Sequence, residues 1–342
     1  MRKCFYDIES VGFAMGVHVD SMRRIPVIIC IDVEPDEREI GGAVAKDWKG
    51  FEESFKFFSD LRPHLEKATG APVRFSWFFR MDPQVEHTYG LSWWVAKRYR
   101  EVIEQLELTG DEIGLHTHAF RWHSGLNRWI TDNGDQKWIN HCIRTSFEAY
   151  RSAFGRPCLS FRFGDRWMNN ETVNLLESLG VKFEMTVEPG RKQSTGLIPE
   201  ELYTGSLPDY STAPTSPYKP SRQDFRKHSQ TQERELWVIP MSTDTAVGRF
   251  VRLKRAAKAL GIDLYEADQL NLSHDRSQFR NMMHSLLDVR TESYLAPAIK
   301  TDALIYSPAR AHLEQNVNLI LSHPLLNRFK FVRPAEAIEL LM

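Results

Sequence analysis

Two stretches of the chain decide the fold: IPVIICIDVEPDE (residues 25–37) and GDEIGLHTHAFRW (residues 110–122). Each is an apolar run that ends in side chains able to bind a metal. Asp32 and Glu34 are two residues apart in the first stretch, and His116 and His118 are two apart in the second. Because residues two apart on a β-strand point to the same side, parallel strands ending in this way would aim two carboxylates and two imidazoles into one space.

Carboxylates and imidazoles grouped in this way are typical ligands of a hydrolytic metal site. Such a site needs three protein ligands and an open position for a reactant. We therefore interpret the chain as a metal-dependent hydrolase. The ligand types favour zinc, and they also suit cobalt, nickel or manganese.

The composition excludes several classes of function. The 342 residues are 42% hydrophobic, which is enough for one large α/β barrel or two ordinary domains. The formal net charge of −1 gives no electrostatic basis for binding nucleic acid or an anionic membrane. The chain has no apolar window of the roughly 18 residues that a membrane span requires, so we expect none.

The cysteines and the N-terminus indicate a cellular location. None of the four cysteines forms a C-x-x-C pair, and Cys30 and Cys158 lie in apolar runs typical of core positions. Reduced thiols of this kind favour a cytosolic protein. Residues 1–24 read as an N-terminal extension, and their acidic residues make them a poor signal peptide. We expect the protein to be cytoplasmic.

Strand-like and helical patterns alternate through the first half of the chain. Apolar strand patterns cover residues 25–33, 73–81, 112–118, 159–163 and 181–187, and helical spacing lies between them. This alternation predicts βα units and a parallel sheet or barrel. A polar, Pro-rich loop follows at residues 208–234, and residues 244–290 read as a helical insertion.

The order of these pieces resembles the polysaccharide deacetylases, the NodB-homology or carbohydrate-esterase-four-like superfamily. The resemblance implies a distorted (β/α) barrel of about seven parallel strands, formed by residues 25–342 as one domain. In this superfamily the active site lies at the strand ends. Asp32-Val33-Glu34 resembles the spaced form of the first motif, which implies that Asp32 is the catalytic base and Glu34 a metal ligand.

The second and third motifs of the superfamily are also matched. Residues 110–116 (GDEIGLH) fit the second motif, but position 120 is Phe where a second His is usual. His118 supplies it instead, as in a branch with H-x-H followed by Trp, and His123 is an alternative ligand. Arg162 begins an R-x-G motif, which implies that it orients the base Asp32.

The fifth motif normally supplies a His general acid on the last strand. That strand here ends in AIKTD (residues 298–302), without a His. His123, Asp302 or a water molecule could protonate the leaving amine in its place.

Three aromatic residues are candidates for contacts with a sugar. Trp122 and Trp167 are as consistent with core packing as with sugar platforms. Tyr218 lies in the loop at residues 208–234, which we expect to be a mobile lid or rim over the site because long loops in compact domains are often functional.

We predict that the protein removes the N-acetyl group of an acetamido-sugar or glycan precursor in the synthesis of a surface polysaccharide such as an O-antigen. Two alternatives stay open. One is another metal-dependent amidohydrolase, although those enzymes place H-x-H on the first strand. The other is a barrel that binds carbohydrate without catalysis, which the missing last-strand His favours. The oligomeric state does not follow from the sequence.

Overall fold

The computed structural model describes residues 24–36, 48–195, 203–231, 233–244, 267–288 and 294–342. Of the predicted N-terminal extension only Arg24 lies within this part, and residues 245–266 and 289–290 of the predicted insertion lie outside it. No helix among the described residues is long and apolar enough to cross a membrane.

The strands of the described residues lie in four sheets. In chain order they are β1 (Ile25–Val27), β2 (Cys30–Val33), β3 (Ser76–Arg80), β4 (Glu112–Thr117), β5 (Phe120–His123), β6 (Arg128–Asp132), β7 (Ser160–Phe163), β8 (Phe183–Glu184), β9 (Tyr203–Thr204), β10 (Trp237–Val238), β11 (Thr243–Asp244), β12 (Asp268–Gln269), β13 (Ala298–Lys300) and β14 (Phe329–Phe331). The largest sheet has seven parallel strands in the order β10-β8-β7-β4-β3-β2-β13. Smaller sheets are β5-β6-β9, β1-β14 and β11-β12.

Most helices of the described residues lie between successive strands. In chain order the described helices are α1 (Lys49–Thr69), α2 (Pro83–Tyr89), α3 (Trp94–Arg98), α4 (Arg100–Leu108), α5 (Gln136–Phe154), α6 (Asn170–Ser178), α7 (Arg276–Asp288), α8 (Ser307–Leu321) and α9 (Pro334–Leu341). Parallel neighbours need such crossover connections because a hairpin turn would reverse the strand direction. The predicted distorted (β/α) barrel with about seven parallel strands is thus confirmed.

Helix α1 illustrates why these segments fold as they do. Its buried residues Phe51, Phe58, Leu61 and Leu65 recur at helical spacing and form one apolar face. Phe51 and Phe58 pack edge-on against Trp77 of β3, at ring-centroid distances of 5.9 and 5.8 Å. This packing covers one side of the sheet and leaves the carboxyl ends of the strands open.

Cys30, Cys142 and Cys158 are buried free thiols. Cys30 and Cys158 thus occupy the core positions that their apolar surroundings predict, and burial raises the pKa of both thiols.

Candidate metal centre

The register of three central strands brings the two metal-binding stretches together. Asp32 of β2 lies beside Phe78 of β3, and Arg80 of β3 lies beside His116 of β4. Parallel strands of one sheet end at the same edge, so the side chains that follow β2 and β4 share that edge. Asp32, Glu34, His116 and His118 are all buried there.

Glu34, His116 and His118 form one compact cluster. The Oε1 atom of Glu34 lies 3.5 Å from Nε2 of His116, and its Oε2 lies 3.4 Å from Nε2 of His118. The two Nε2 atoms are 3.0 Å apart. One ligand atom from each residue lies within 4.8 Å of the others, which is a spacing that a single metal ion can bridge.

The partners of the other ring nitrogens indicate which nitrogens are free to bind. Nδ1 of His116 lies 3.0 Å from the carbonyl oxygen of Arg162, and Nδ1 of His118 lies 3.3 Å from Oδ2 of Asp165. A carbonyl or an ionised carboxylate only accepts, so both Nδ1 atoms donate and both Nε2 atoms carry lone pairs. With both rings neutral, these two lone pairs face each other and repel, and a proton or a metal cation between them would relieve the repulsion. The donor set therefore fits a divalent metal.

Arg162 connects the candidate base to the metal ligands. Its Nε donates to both carboxylate oxygens of Asp32, at 3.0 and 3.1 Å, and its Nη1 donates to the carbonyl of Met185 at 2.8 Å. Its own carbonyl accepts from His116. Any shift of Arg162 would consequently move both Asp32 and one imidazole.

Cations surround the buried Glu34 carboxylate. Nζ of Lys300 lies 3.2 Å from Oε1, and Nη1 of Arg80 lies 3.7 Å from Oε2. Burial alone would raise the pKa of Glu34, but Lys300 and the two imidazoles outweigh burial and hold this pKa well below its ordinary value. Glu34 is thus ionised at neutral pH, as a metal ligand must be.

The ring of His118 is held on several sides. It stacks on Phe120 with ring centroids 4.9 Å apart, and its main-chain N–H donates to Oδ2 of Asp82 at 3.1 Å. On another side the imidazole packs against Gly164, where any Cβ would overlap the ring. Burial would lower the pKa of His118, but the negative charges of Asp165 and Glu34 outweigh burial and raise it.

Four charged residues around the cluster were not predicted from the sequence to belong to the site. Arg80 and Asp82 follow the apolar strand β3, Asp165 follows the R-x-G motif, and Lys300 ends β13 beside Asp32 in register. Each is a charged residue at the carboxyl end of a buried strand, which is the same signal that identified Asp32 and His116. Arg80 donates to Asp82 at 2.8 Å, so this pair neutralises itself under the site.

A cavity of about 160 Å³ opens over the cluster. It is lined by Asp32, His116, His118, Arg162, Phe163, Gly164, Asp165, Arg166, Glu188, Arg191, Asp268, Gln269 and Lys300. A larger groove of about 500 Å³ lies between α1 and α8. Large pockets are the usual first candidates for a site, but here chemistry decides, since two members of the metal-binding cluster of the described residues, His116 and His118, line the smaller cavity.

The candidate general acids and tryptophans do not line the cavity. His123 is exposed on the β5–β6 hairpin, where its Nδ1 accepts from the N–H of Leu126. Asp302 lies in the short 3-10 turn that follows β13. Trp122 stacks on His87 at a centroid distance of 5.9 Å, and Trp167 is buried beside the turn that carries Asp165.

Tyr218 is buried, which contradicts its prediction as a residue that contacts a sugar. It is 2% exposed, and its hydroxyl donates to the carbonyl of Phe225 at 2.9 Å, so its ring is not available to stack on a sugar. The surrounding segment is also attached to the fold more firmly than a lid. Arg234 is buried and donates to Glu177 and Asn174 of α6, at 2.7 and 2.6 Å. These bonds hold the end of the segment against α6.

No family model matches the chain, and no curated protein matches it in sequence. Solved structures do match. One is a protein of Parabacteroides distasonis with the provisional name glycoside hydrolase/deacetylase, at 12% identity and a TM-score of 0.55 over 93% of this chain and 70% of that one. A provisionally named polysaccharide deacetylase of Pseudomonas aeruginosa matches at 16% identity and a TM-score of 0.48, covering 93% and 91%.

A third match is a mutant of the peptidoglycan deacetylase PdaC of Bacillus subtilis, at 8% identity and a TM-score of 0.41, covering 94% and 93% of the two chains. At such identities structural likeness speaks for the fold alone, and the Parabacteroides distasonis structure carries that conclusion. The chain therefore has the fold of the polysaccharide deacetylase superfamily, which its sequence motifs resemble.

Proposed function

We propose that the protein is a metal-dependent hydrolase that removes the acetyl group from the nitrogen of an acetamido-sugar. One observation carries this proposal: the ligand cluster of Glu34, His116 and His118 lies beside a carboxylate, Asp32, at the base of an open cavity. A cluster that served only the fold would not need a buried carboxylate that lines the cavity next to it.

Glu34, His116 and His118 would hold the metal through one carboxylate oxygen and two Nε2 atoms. Zinc suits this set of donors best, and manganese, cobalt and nickel are the alternatives. When bound, the ion would act as a Lewis acid that polarises an amide carbonyl and acidifies water.

Asp32 is the proposed general base. Its carboxylate lines the cavity, and the two hydrogen bonds from Nε of Arg162 fix its orientation. Asp32 would take the proton from the attacking water, and Arg162 would keep the carboxylate aimed while that proton arrives. Lys300 also lines the cavity, at the end of the strand where the superfamily's His is expected.

The proposed substrate is a sugar-sized molecule. The cavity of about 160 Å³ is small beside those that enclose drug-sized ligands, which favours the acetamido group of one sugar ring as its occupant. We place the reaction in the cytoplasm, on a nucleotide- or lipid-linked precursor of a surface polysaccharide. This placement follows the sequence-based expectation.

Metal analysis and acetate release test the proposal together. Purified protein should contain one divalent metal per chain and release acetate from some member of a panel of free and nucleotide-linked acetamido-sugars. Asp32→Asn should keep the metal and lower turnover by roughly 10²–10⁴-fold, the usual contribution of a general base. His116→Ala should fold but lose the metal, and stoichiometric metal in that variant would contradict the assigned ligands.

The missing His of the last strand favours a second function, a barrel that binds carbohydrate without hydrolysing it. Lys300 occupies the end of β13 instead. This alternative predicts metal and sugar binding with no acetate release from any substrate, and Asp32→Asn would then leave sugar affinity unchanged.

A further inference from the structure

The two imidazoles of the cluster are oriented by partners of different charge. Nδ1 of His116 donates to a neutral main-chain carbonyl, that of Arg162, whereas Nδ1 of His118 donates to the carboxylate of Asp165. The Asp165 side chain is 2% exposed and that of His118 is 1% exposed, so little solvent screens their interaction. A carboxylate on the remote nitrogen makes an imidazole a stronger donor to a metal.

The backbone that carries Asp165 is strained. Asp165 and Arg166 have φ values of 51° and 52°, so two consecutive non-glycine residues adopt the left-handed region. L-residues rarely adopt this conformation, and it persists only where surrounding contacts enforce it.

The contacts around the turn provide that enforcement. The hydroxyl of Tyr210 donates to the carbonyl of Arg166 at 2.7 Å, and the N–H of Trp167 donates to the carbonyl of Gly164 at 3.2 Å. Nη2 of Arg166 donates to the hydroxyl of Ser194 at 2.8 Å. The result is a turn whose Gly164 leaves room for the His118 ring and whose next residue turns its carboxylate onto that ring.

We propose that Asp165 is a positioning residue that fixes the tautomer and orientation of His118, and that the strained turn at residues 164–166 exists to place it there. This inference rests on the metal site of the proposed function. It makes the site asymmetric: His118, backed by a carboxylate, is the stronger imidazole donor, and His116, backed by a carbonyl, is the weaker one.

The affinity of the apoprotein for Zn²⁺, measured by competition with a chromogenic chelator, tests the inference. Asp165→Asn keeps the size of the side chain, an acceptor oxygen and tolerance of the left-handed region, but removes the charge. Asp165→Ala removes the hydrogen bond as well. Loss of the hydrogen-bond partner of a metal-binding His typically weakens metal affinity by about 10–100-fold. We expect Asp165→Asn to weaken Zn²⁺ affinity by an amount near the lower end of this range and Asp165→Ala by an amount near the upper end.

Asp111→Asn is the matched control. Asp111 is another buried carboxylate, at the opposite end of β4, where it accepts from Arg62 at 2.8 Å and from the indole of Trp77 at 2.9 Å. Its substitution should lower the melting temperature and leave Zn²⁺ affinity unchanged. Asp165→Asn should instead weaken Zn²⁺ binding and leave the melting temperature of the apoprotein near that of the wild type. It should also alter the visible absorption of the Co²⁺-substituted protein, which reports the ligand geometry.

The outcomes separate this inference from the proposal beneath it. Wild-type protein that binds no stoichiometric metal would overturn the proposed function and this inference with it. Tight binding in the wild type with equal affinity in both Asp165 variants would overturn the role of Asp165 alone. Weakened affinity in the Asp165 variants, at an apoprotein melting temperature near that of the wild type, supports it.

Discussion

The carboxyl ends of the central strands and the segment at residues 208–234 are both rich in polar residues, yet they use them in opposite ways. At the strand ends, charged side chains converge on a shared cavity. In the segment, polar groups turn back onto the protein, as when Asn170 of α6 accepts from the N–H of Phe225 at 2.7 Å. Strand ends have main-chain partners supplied by the sheet, whereas an irregular segment must find partners for its own backbone. Polar side chains are thus free for function in one region and occupied by structure in the other.

Gly164→Ala should produce the largest effect on the first region. A methyl group at this position overlaps the imidazole of His118, so the ring must leave its place. We expect Zn²⁺ affinity to fall by about 100-fold or more, because a ligand is displaced and not only its hydrogen-bond partner. Gly125→Ala, on the exposed β5–β6 hairpin, is the control and should bind Zn²⁺ as the wild type does. Unchanged affinity in Gly164→Ala would mean that the ring is not held as described.

Two buried glutamates on the sheet sharpen the comparison. Cations hold the pKa of Glu34 low, whereas burial outweighs all other influences on Glu184 of β8 and raises its pKa to about 7. Glu184 accepts from the N–H of Thr186 at 2.7 Å, and it lies beside Val238 of β10, which pairs with Tyr218 of the segment at residues 208–234. Arg162 and the hydrogen bonds with Thr186 lower the pKa of Glu184, but burial outweighs them, whereas the nearby cations prevail at Glu34.

The raised pKa of Glu184 predicts a stability that depends on pH. Between pH 4.5 and about 7 the folded state binds more protons at this residue than the unfolded state, so stability falls as the pH rises and stays low above 7. The shift from 4.5 to about 7 amounts to roughly 3 kcal/mol. Urea unfolding at pH 5 and pH 8 should show that Glu184→Gln lacks this decline. Parallel declines in the wild type and the variant would argue against it.

Tyr218→Phe tests the second region. The variant removes a buried hydroxyl and leaves the carbonyl of Phe225 without its donor, which should cost about 1–3 kcal/mol of unfolding free energy. Zn²⁺ affinity and turnover should stay at wild-type levels, because Tyr218 lies in the core and away from the cavity. A drop in substrate affinity at unchanged stability would restore the sequence-based prediction that this ring contacts a sugar.

Regular periodicity explains which parts of the molecule were predictable. The helical spacing between the strand patterns at residues 112–118 and 159–163 corresponds to α5, and the strand predicted at residues 159–163 contains β7. The period of two within a strand brings Asp32, Glu34, His116 and His118 together, because side-chain direction follows from position along the strand. The role of each residue in this cluster stays a prediction until it is tested.

Contacts between distant segments explain what the sequence did not reveal. Asp165 reaches His118 only because two residues adopt the left-handed region, and no local pattern predicts that conformation for Asp and Arg. The burial of Tyr218 depends on its pairing with Val238 of β10 across a Pro-rich segment. The sequence did not predict Lys300 as a site residue, because the residue expected at the end of that strand was a His.

Lys300→Gln should have the smallest effect. It is informative because we expect it to change Zn²⁺ affinity and turnover in opposite directions. The ammonium lies 3.2 Å from Oε1 of Glu34 and competes with a metal for the same negative charge. Removing it should raise Zn²⁺ affinity by about fivefold or less, since a partly exposed charge contributes only about 1 kcal/mol after screening by solvent. Turnover should fall, because Lys300 is a cation of the cavity wall where the amide would react. The control is to repeat the affinity measurement at high salt, where the difference between wild type and variant should shrink. If Lys300→Gln instead weakens Zn²⁺ binding, the ammonium holds Glu34 in place, and the end of β13 then serves the structure as the segment at residues 208–234 does.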